Sequence, residues 1–337
     1  MTWLNPPELR SSIPVLWPIT GFGSCMQMRR LGRTDLCISA VGLGGWPFGG
    51  GYDWGPVDAA QAEKAVLDAL DAGINLVDTA PVYGESEAFL GRILKGRRNQ
   101  IILATKCGLA KNGSWTDHDL SPQTIRRQLN ESLARLQTDY IDLYQIHYPD
   151  PKVPLEEALL ELACQKQVGK IRHIGLCNVT AEEISRAARV TEIASVQNEH
   201  SLLHPQKGEA VFKACREAGA SFISYGTLCG GILSGKYKTA PNLRRADARN
   251  YFYKCYRADA FLHAQEKVSR VKKLAEYLRV SPAAAAVAWA LSNQTVSCAL
   301  TGARTAEQIL QNAAGADLSL TPQDLAFLEG RPCTCTK

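Results

Sequence analysis

The chain reads as an (α/β)8 TIM barrel with an N-terminal β-hairpin and long mouth loops. Three observations predict this. Short apolar runs of strand length alternate eight times with segments whose apolar residues recur at helical intervals, which favours a closed barrel over an open doubly wound sheet. No Gly-x-Gly-x-x-Gly stands between an early strand and helix, which argues against a Rossmann domain. Polar groups close three apolar runs: Asp78 follows Ile74, Leu76 and Val77; Lys106 follows residues 101–105; His147 follows residues 140–146. Helical segments lie between these runs, so the strands are parallel and their carboxyl ends share one face.

Residues 1–27 form an extension that the sequence predicts to be loosely ordered. Pro14 and Pro18 interrupt its apolar stretch and Arg10 is its only basic residue before that stretch, unlike a secretory signal. Residues 28–330 are the barrel domain and 331–337 a tail. Residues 29–39 hold a turn between two short extended pieces, suited to closing the base of a barrel. Residues 40–44 are the first strand, and a Gly-rich loop runs on through Gly55. Ala62, Ala65, Val66, Ala69 and Leu70 mark the first helix, which Gly73 stops.

The second strand covers 75–77, and Pro81 then turns the chain to present Tyr83. A helix over 86–94, a strand over 101–105 and a helix over 121–136 follow, the last opened by Ser121 as N-cap and Pro122 in the first turn. Strand four ends at His147 and a helix covers 154–167. Strand five spans 171–176, with Thr180 capping a helix to about Val190. Strand six is 195–198, a helix covers 205–218, and strand seven (221–224) ends at Tyr225. An irregular section, 226–256, breaks the rhythm, and long loops inside compact domains tend to be functional. Helices over 261–278 and 281–291, strand eight over 296–300 and a helix from Thr305 complete the barrel.

The 337 residues are 45% apolar, enough for a large core in one domain. A net charge of +5 without a dense Lys/Arg block gives no sign of nucleic acid, and no apolar run has membrane-spanning length. The 11 cysteines are scattered through strands and helices rather than spaced as a disulfide framework, which points to a reduced, cytoplasmic setting. Cys333 and Cys335 are too few for a structural zinc site, so no metal is predicted.

Asp78, Tyr83, Lys106 and His147, in that order and with the phrases Gly-Ile-Asn-Leu-Val-Asp-Thr-Ala and Leu-Thr-Gly-Ala-Arg-Thr-Ala-Glu-Gln around 73–80 and 300–308, resemble the aldo-keto reductases over roughly 28–330. The resemblance implies a tetrad at the barrel mouth that serves hydride transfer to an aldehyde or ketone. Reduction builds charge on the carbonyl oxygen, so the site needs an acid, and a free tyrosine, with a pKa of about 10, donates reluctantly. A lysine cation beside Tyr83 is expected to lower that pKa; a shift of about two units corresponds to roughly 2.7 kcal/mol. Asp78 would hold Lys106 charged, and His147 would hydrogen-bond the substrate oxygen or relay its proton.

By the same resemblance, Asn178 and Gln197 hold a nicotinamide carboxamide and Tyr225 stacks on its ring, with Gly45, Trp46 and Cys177 beside it. The turn containing Gly226, Leu228 and Gly230 wraps the pyrophosphate, near Lys236. Gly302, Arg304 and Gln308 meet the adenosine 2′-phosphate and Asn312 meets adenine. A helix start suits an anion and a guanidinium suits phosphate, so NADPH is expected, with NAD possible. Trp46, Trp115 and Tyr148 are expected to line the pocket of a small carbonyl or alcohol substrate. The sequence departs from the family at three places: Cys177 replaces a frequent serine, Gly226-Thr227 a frequent Ser-Pro, and Gln308 an arginine of some branches. Three rival readings stay open: a sugar or alcohol dehydrogenase working oxidatively with NAD or NADP, a cofactor-binding regulatory subunit like the potassium-channel β subunits, and Schiff-base chemistry at Lys106. Oligomeric state is open as well.

Overall fold

The computed structural model describes residues 26–112, 115–205 and 209–332. The predicted disorder of the extension through Cys25 and the Cys333/Cys335 tail lie outside these residues. A hairpin of β1 (Met28–Arg30) and β2 (Cys37–Ser39) leads into β3 (Val41–Gly44), α1 (Gly51–Trp54), α2 (Ala59–Asp71), β4 (Leu76–Asp78), α3 (Ser86–Ile93) and β5 (Ile102–Cys107). A second hairpin, β6 (Leu109–Asn112) and β7 (Trp115–His118), precedes α4 (Pro122–Leu136), β8 (Ile141–Ile146), α5 (Leu155–Gln167), β9 (Ile171–Cys177), α6 (Ala181–Ala187), β10 (Ser195–Glu199), α7 (Glu209–Ala218) and β11 (Ser221–Tyr225). The chain ends with α8 (Arg249–Phe252), α9 (Ala258–Leu278), α10 (Pro282–Leu291), β12 (Val296–Thr301), α11 (Ala306–Ala313) and α12 (Pro322–Glu329).

Eight strands close a parallel barrel in the order β10, β11, β12, β3, β4, β5, β8, β9, as the sequence predicts. Side chains alternate across each strand. Leu76, Ile102, Ala104, Leu143, Ile223, Cys298 and Leu300 fill the inside, while Val77, Leu103, Tyr144, Ile146 and Phe222 face the helices. Leu31 and Ile38 of the first hairpin join the inner cluster, both fully buried, and so plug the base. Burying each contributes about 1.5–3 kcal/mol.

Helices begin where the caps predict: Ser121, Thr180, Ser281 and Thr305 each accept a backbone N–H from the first turn. The structure departs from the sequence reading in three places. Residues 109–118, to which the sequence reading gave no strand, carry β6 and β7. The helix after Thr180 ends at Ala187, before Val190. A further helix, α12, follows a Thr321 capping box. The helix predicted from 205 is described from Glu209, residues 206–208 lying outside the described residues. The section 226–256 holds a 3-10 turn at Cys229–Ser234 and the short α8. It is anchored by a separate apolar cluster that includes Leu202, Ile232, Tyr253, Tyr256, Phe261 and Trp289.

Candidate active site

Strand alternation decides what meets at the barrel mouth. Ile102 and Ala104 point inward, so Lys106 does too; Leu76 points inward, so Asp78 does too. Lys106 is 1% exposed, and its Nζ donates to Asp78 Oδ2 at 2.6 Å and to the Thr79 carbonyl at 3.0 Å. The same amine stands 4.9 Å from the centre of the Tyr83 ring. The His147 ring meets Tyr83 edge-on at 5.7 Å, and Trp46 stacks on it at 5.7 Å. All four predicted groups therefore converge.

One residue of this assembly went unforeseen. Gln145 lies in register with Lys106 and with Gly175, and its Nε2 donates to Asp78 Oδ1 at 3.0 Å. Gly175 makes room for it: a Cβ there would sit 2.9 Å from Gln145 Cγ. Gln197 donates to the same Asp78 oxygen at 2.9 Å. The signal was available, since Gln145 stands two places after inward-facing Leu143, and alternation puts it among the tetrad.

The electrostatics differ from the simple expectation for the acid. Burial raises the Tyr83 phenol above its ordinary value, and the charge of Lys106 withdraws only part of that shift. The predicted net lowering is overturned because desolvation of a phenolate outweighs one nearby cation. Burial alone would lower Lys106, but Asp78 and then Tyr83 hold it above its usual value, as a cation. His147 is pushed well below the ordinary histidine value by burial and then by Lys106, so it is a neutral imidazole at neutral pH.

Above this assembly lies a cavity of about 1100 Å³. Asp78, Tyr83, His147 and Tyr148 form its floor, and Gly45, Trp46, Asn178, Gln197, Tyr225, Gly226, Leu228, Gly230, Lys236, Gly302, Arg304, Gln308 and Asn312 line its length. Cys177 does not. It faces the barrel interior with its Sγ 3.6 Å from Gln145 Oε1, because alternation from Gly175 turns it inward and only Asn178 reaches the rim. Asn178 adopts φ 58°, donates to the His147 carbonyl at 2.9 Å and accepts from the Tyr225 hydroxyl at 2.7 Å. Trp115 belongs to β7, and its side chain lies outside the described residues.

Two more groups went unforeseen in the loops. Asp53 accepts from Trp46 Nε1 at 3.2 Å, from Lys111 Nζ at 2.8 Å and from the Tyr251 hydroxyl at 3.3 Å, so it ties together all three mouth loops. Arg249 lies over Trp54 at 5.4 Å, as does Arg304, whose guanidinium donates to the Trp54 carbonyl. Arg244 presses on Gly55 beside them. Burial first, then repulsion from Arg249 and Arg244, lowers the Arg304 pKa. Asp247 already pairs with Arg249 at 2.7 Å, so Arg304 and Arg244 are the cations of this group left to meet an anion. At the far end, the buried Asn312 Nδ2 has no hydrogen-bond partner among the described residues, a vacancy that a purine nitrogen would fill. The residues present therefore fit an extended dinucleotide.

The chain is similar to known proteins over most of its length. A model of the aldo/keto reductase family matches residues 40–330. The chain is 35% identical to aldo-keto reductase YhdN of Bacillus subtilis, over 84% of this chain and 87% of that one. It is 32% identical to an Escherichia coli protein named NADH-specific methylglyoxal reductase, over 88% and 96%. Among solved structures, the glycerol dehydrogenase AKR11B4 of Gluconobacter oxydans superposes with a TM-score of 0.81 at 33% identity, covering 90% of this chain and 94% of that one.

Proposed function

The chain belongs to the aldo/keto reductase family, and from that premise we propose that it reduces an aldehyde or ketone with NADPH, Tyr83 giving the proton. As a member of that family it is an oxidoreductase of carbonyl and alcohol groups that uses a nicotinamide cofactor.

The observation that carries the finer reading is the position of Tyr83 between a buried, permanently charged Lys106 and an open cavity. A dinucleotide held along the cavity would supply hydride to the carbonyl carbon. What the chain does is manage the proton and the place. Burial keeps the Tyr83 hydroxyl protonated at neutral pH, so the acid is loaded before each turnover. Lys106 then limits the cost of the phenolate left behind, and Asp78, Gln145 and Gln197 fix the lysine's partner so that its charge does not wander. Neutral His147, edge-on to Tyr83, is placed to donate an N–H to the same substrate oxygen. Gln197 and Asn178 at the cavity wall suit a carboxamide, and Tyr225 suits a ring face.

Reduction is favoured over oxidation because the oxidative reaction needs the phenolate as base, and a raised Tyr83 pKa keeps that form scarce. NADPH is favoured by Arg304 at one end of the cavity, with no carboxylate on its guanidinium among the described residues, whereas Arg249 is paired with Asp247. Tyr83→Phe is the test: turnover should fall by about a hundred- to ten-thousandfold, the usual worth of a positioned acid, while NADPH still quenches tryptophan fluorescence. Turnover within twofold of the parent would remove Tyr83 from this role.

A further inference from the structure

Behind the Gly226–Gly231 turn, outside the cavity, Cys229, Cys255 and His204 bring their sulfur and imidazole atoms within 4.8 Å of one another. The two sulfurs are 2.7 Å apart. Two thiolates on one tetrahedral zinc, with bonds of about 2.3 Å, would keep their sulfurs roughly 3.8 Å apart, whereas a disulfide needs about 2.05 Å. The pair is therefore spaced for bonding to each other. Cys229 sits at φ 49°, between left-handed glycines, so the turn holds its sulfur against Cys255 at some backbone cost.

We propose that Cys229 and Cys255 form a reversible disulfide by reaction with a peroxide, and that this bond fastens the strap of residues 230–254 over the cavity. The two sulfurs are not equivalent. Cys229 is fully enclosed, while Cys255 is 4% exposed beside half-buried His204. The hydrogen bond from Cys229, then the one to His204, holds Cys255 below the ordinary thiol range, while Cys229 is held above it. His204 is itself raised by that hydrogen bond and by Glu199 beside it. Cys255 is thus the attacking sulfur. Its thiolate takes one peroxide oxygen, the O–O bond breaks, and the leaving hydroxide or alkoxide collects the proton that Cys255 gave up. The Cys229 sulfur then attacks the resulting sulfenic acid, the S–O bond breaks, and the oxygen departs as water with the Cys229 proton. Two thiols lose two electrons and the peroxide gains them, leaving water and a second water or an alcohol.

The consequence for the cavity rests on the dinucleotide reading above. The turn and the strap already touch, through the Tyr256 hydroxyl on the Gly230 carbonyl at 2.6 Å. A covalent link would close a loop that carries Lys236, Arg249 and Phe252 of the cavity wall, so the strap could no longer lift at this end. The test uses the whole reduced protein, treated with hydrogen peroxide, alkylated and mapped by peptide mass. A Cys229–Cys255 link with Cys177 and Cys298 still alkylatable is expected, formed more slowly in His204→Asn, together with a severalfold slower release of NADPH that dithiothreitol restores. Sulfenic or higher oxides on Cys255 without a link would overturn the disulfide. So would one equivalent of zinc that the untreated protein holds and Cys229→Ser loses. A link with unchanged NADPH release would overturn the fastening, whereas failure to bind NADPH at all would strike the dinucleotide reading and leave the disulfide standing.

Discussion

Gln197 donates its amide to Asp78 Oδ1 at 2.9 Å across 119 positions of sequence, and it does so from the cavity wall. The carboxylate that holds Lys106 is thereby itself held by strands on the far side of the barrel. Asp78 Oδ1 receives Gln145 and Gln197, and Oδ2 receives Lys106, so the ion pair is buried with its acceptors satisfied. That matters because a buried pair stabilises only when the surrounding hydrogen bonds are complete.

Gln145→Leu is expected to lower stability by about 1.5–3 kcal/mol, the worth of a hydrogen bond to a charged group, measured by urea unfolding. Gln145 is a positioning residue, so kcat for reduction should fall while the carbonyl KM stays put. An unchanged kcat would reduce its role to packing.

The raised Tyr83 pKa gives the pH profile a sign. The reducing form is the protonated phenol, so reduction should stay level from neutral pH to beyond about pH 10, the ordinary tyrosine value, and decline only above it. Oxidation of an alcohol should climb with pH over the same range. A reduction rate that halves below pH 9 would contradict burial as the dominant effect on this group.

Arg304→Ala should weaken NADPH binding by about 1.5–3 kcal/mol, as expected for loss of a charge-assisted hydrogen bond. NADH binding should hardly change, because the guanidinium has no phosphate to meet there. Equal losses for both cofactors, read by fluorescence titration, would place Arg304 away from the 2′-phosphate.

Asp53→Ala removes the shared partner of Trp46, Lys111 and Tyr251. Its ion pair with Lys111 is partly exposed and worth little by itself, so the melting temperature should barely move. The carbonyl KM should rise severalfold as the three loops separate. A KM equal to the parent's would show that the loops close without it.

His200 is 5% exposed and stacks on Trp289 at 4.9 Å, and burial lowers its pKa to about 4. The unfolded chain takes up this proton near pH 6.5 and the folded chain does not until about pH 4, so stability is full above 6.5 and is lost as pH falls between the two values. The loss amounts to roughly 3 kcal/mol. His200→Gln should flatten that stretch of the stability curve, followed by urea unfolding from pH 7 to 4.

The sequence alone determined the barrel, because eight apolar runs and their caps are local patterns that survive without knowledge of neighbours. It also determined that Asp78, Tyr83, Lys106 and His147 would meet, since the carboxyl ends of parallel strands must share a face. Only the tertiary structure decided that burial outweighs Lys106 at the Tyr83 phenol, that Cys177 turns inward while Asn178 reaches the rim, and that Gln145, Asp53 and Arg249 join the site. Desolvation, strand register and loop-to-loop contact are properties of distances between residues far apart in the chain, and no local pattern carries them.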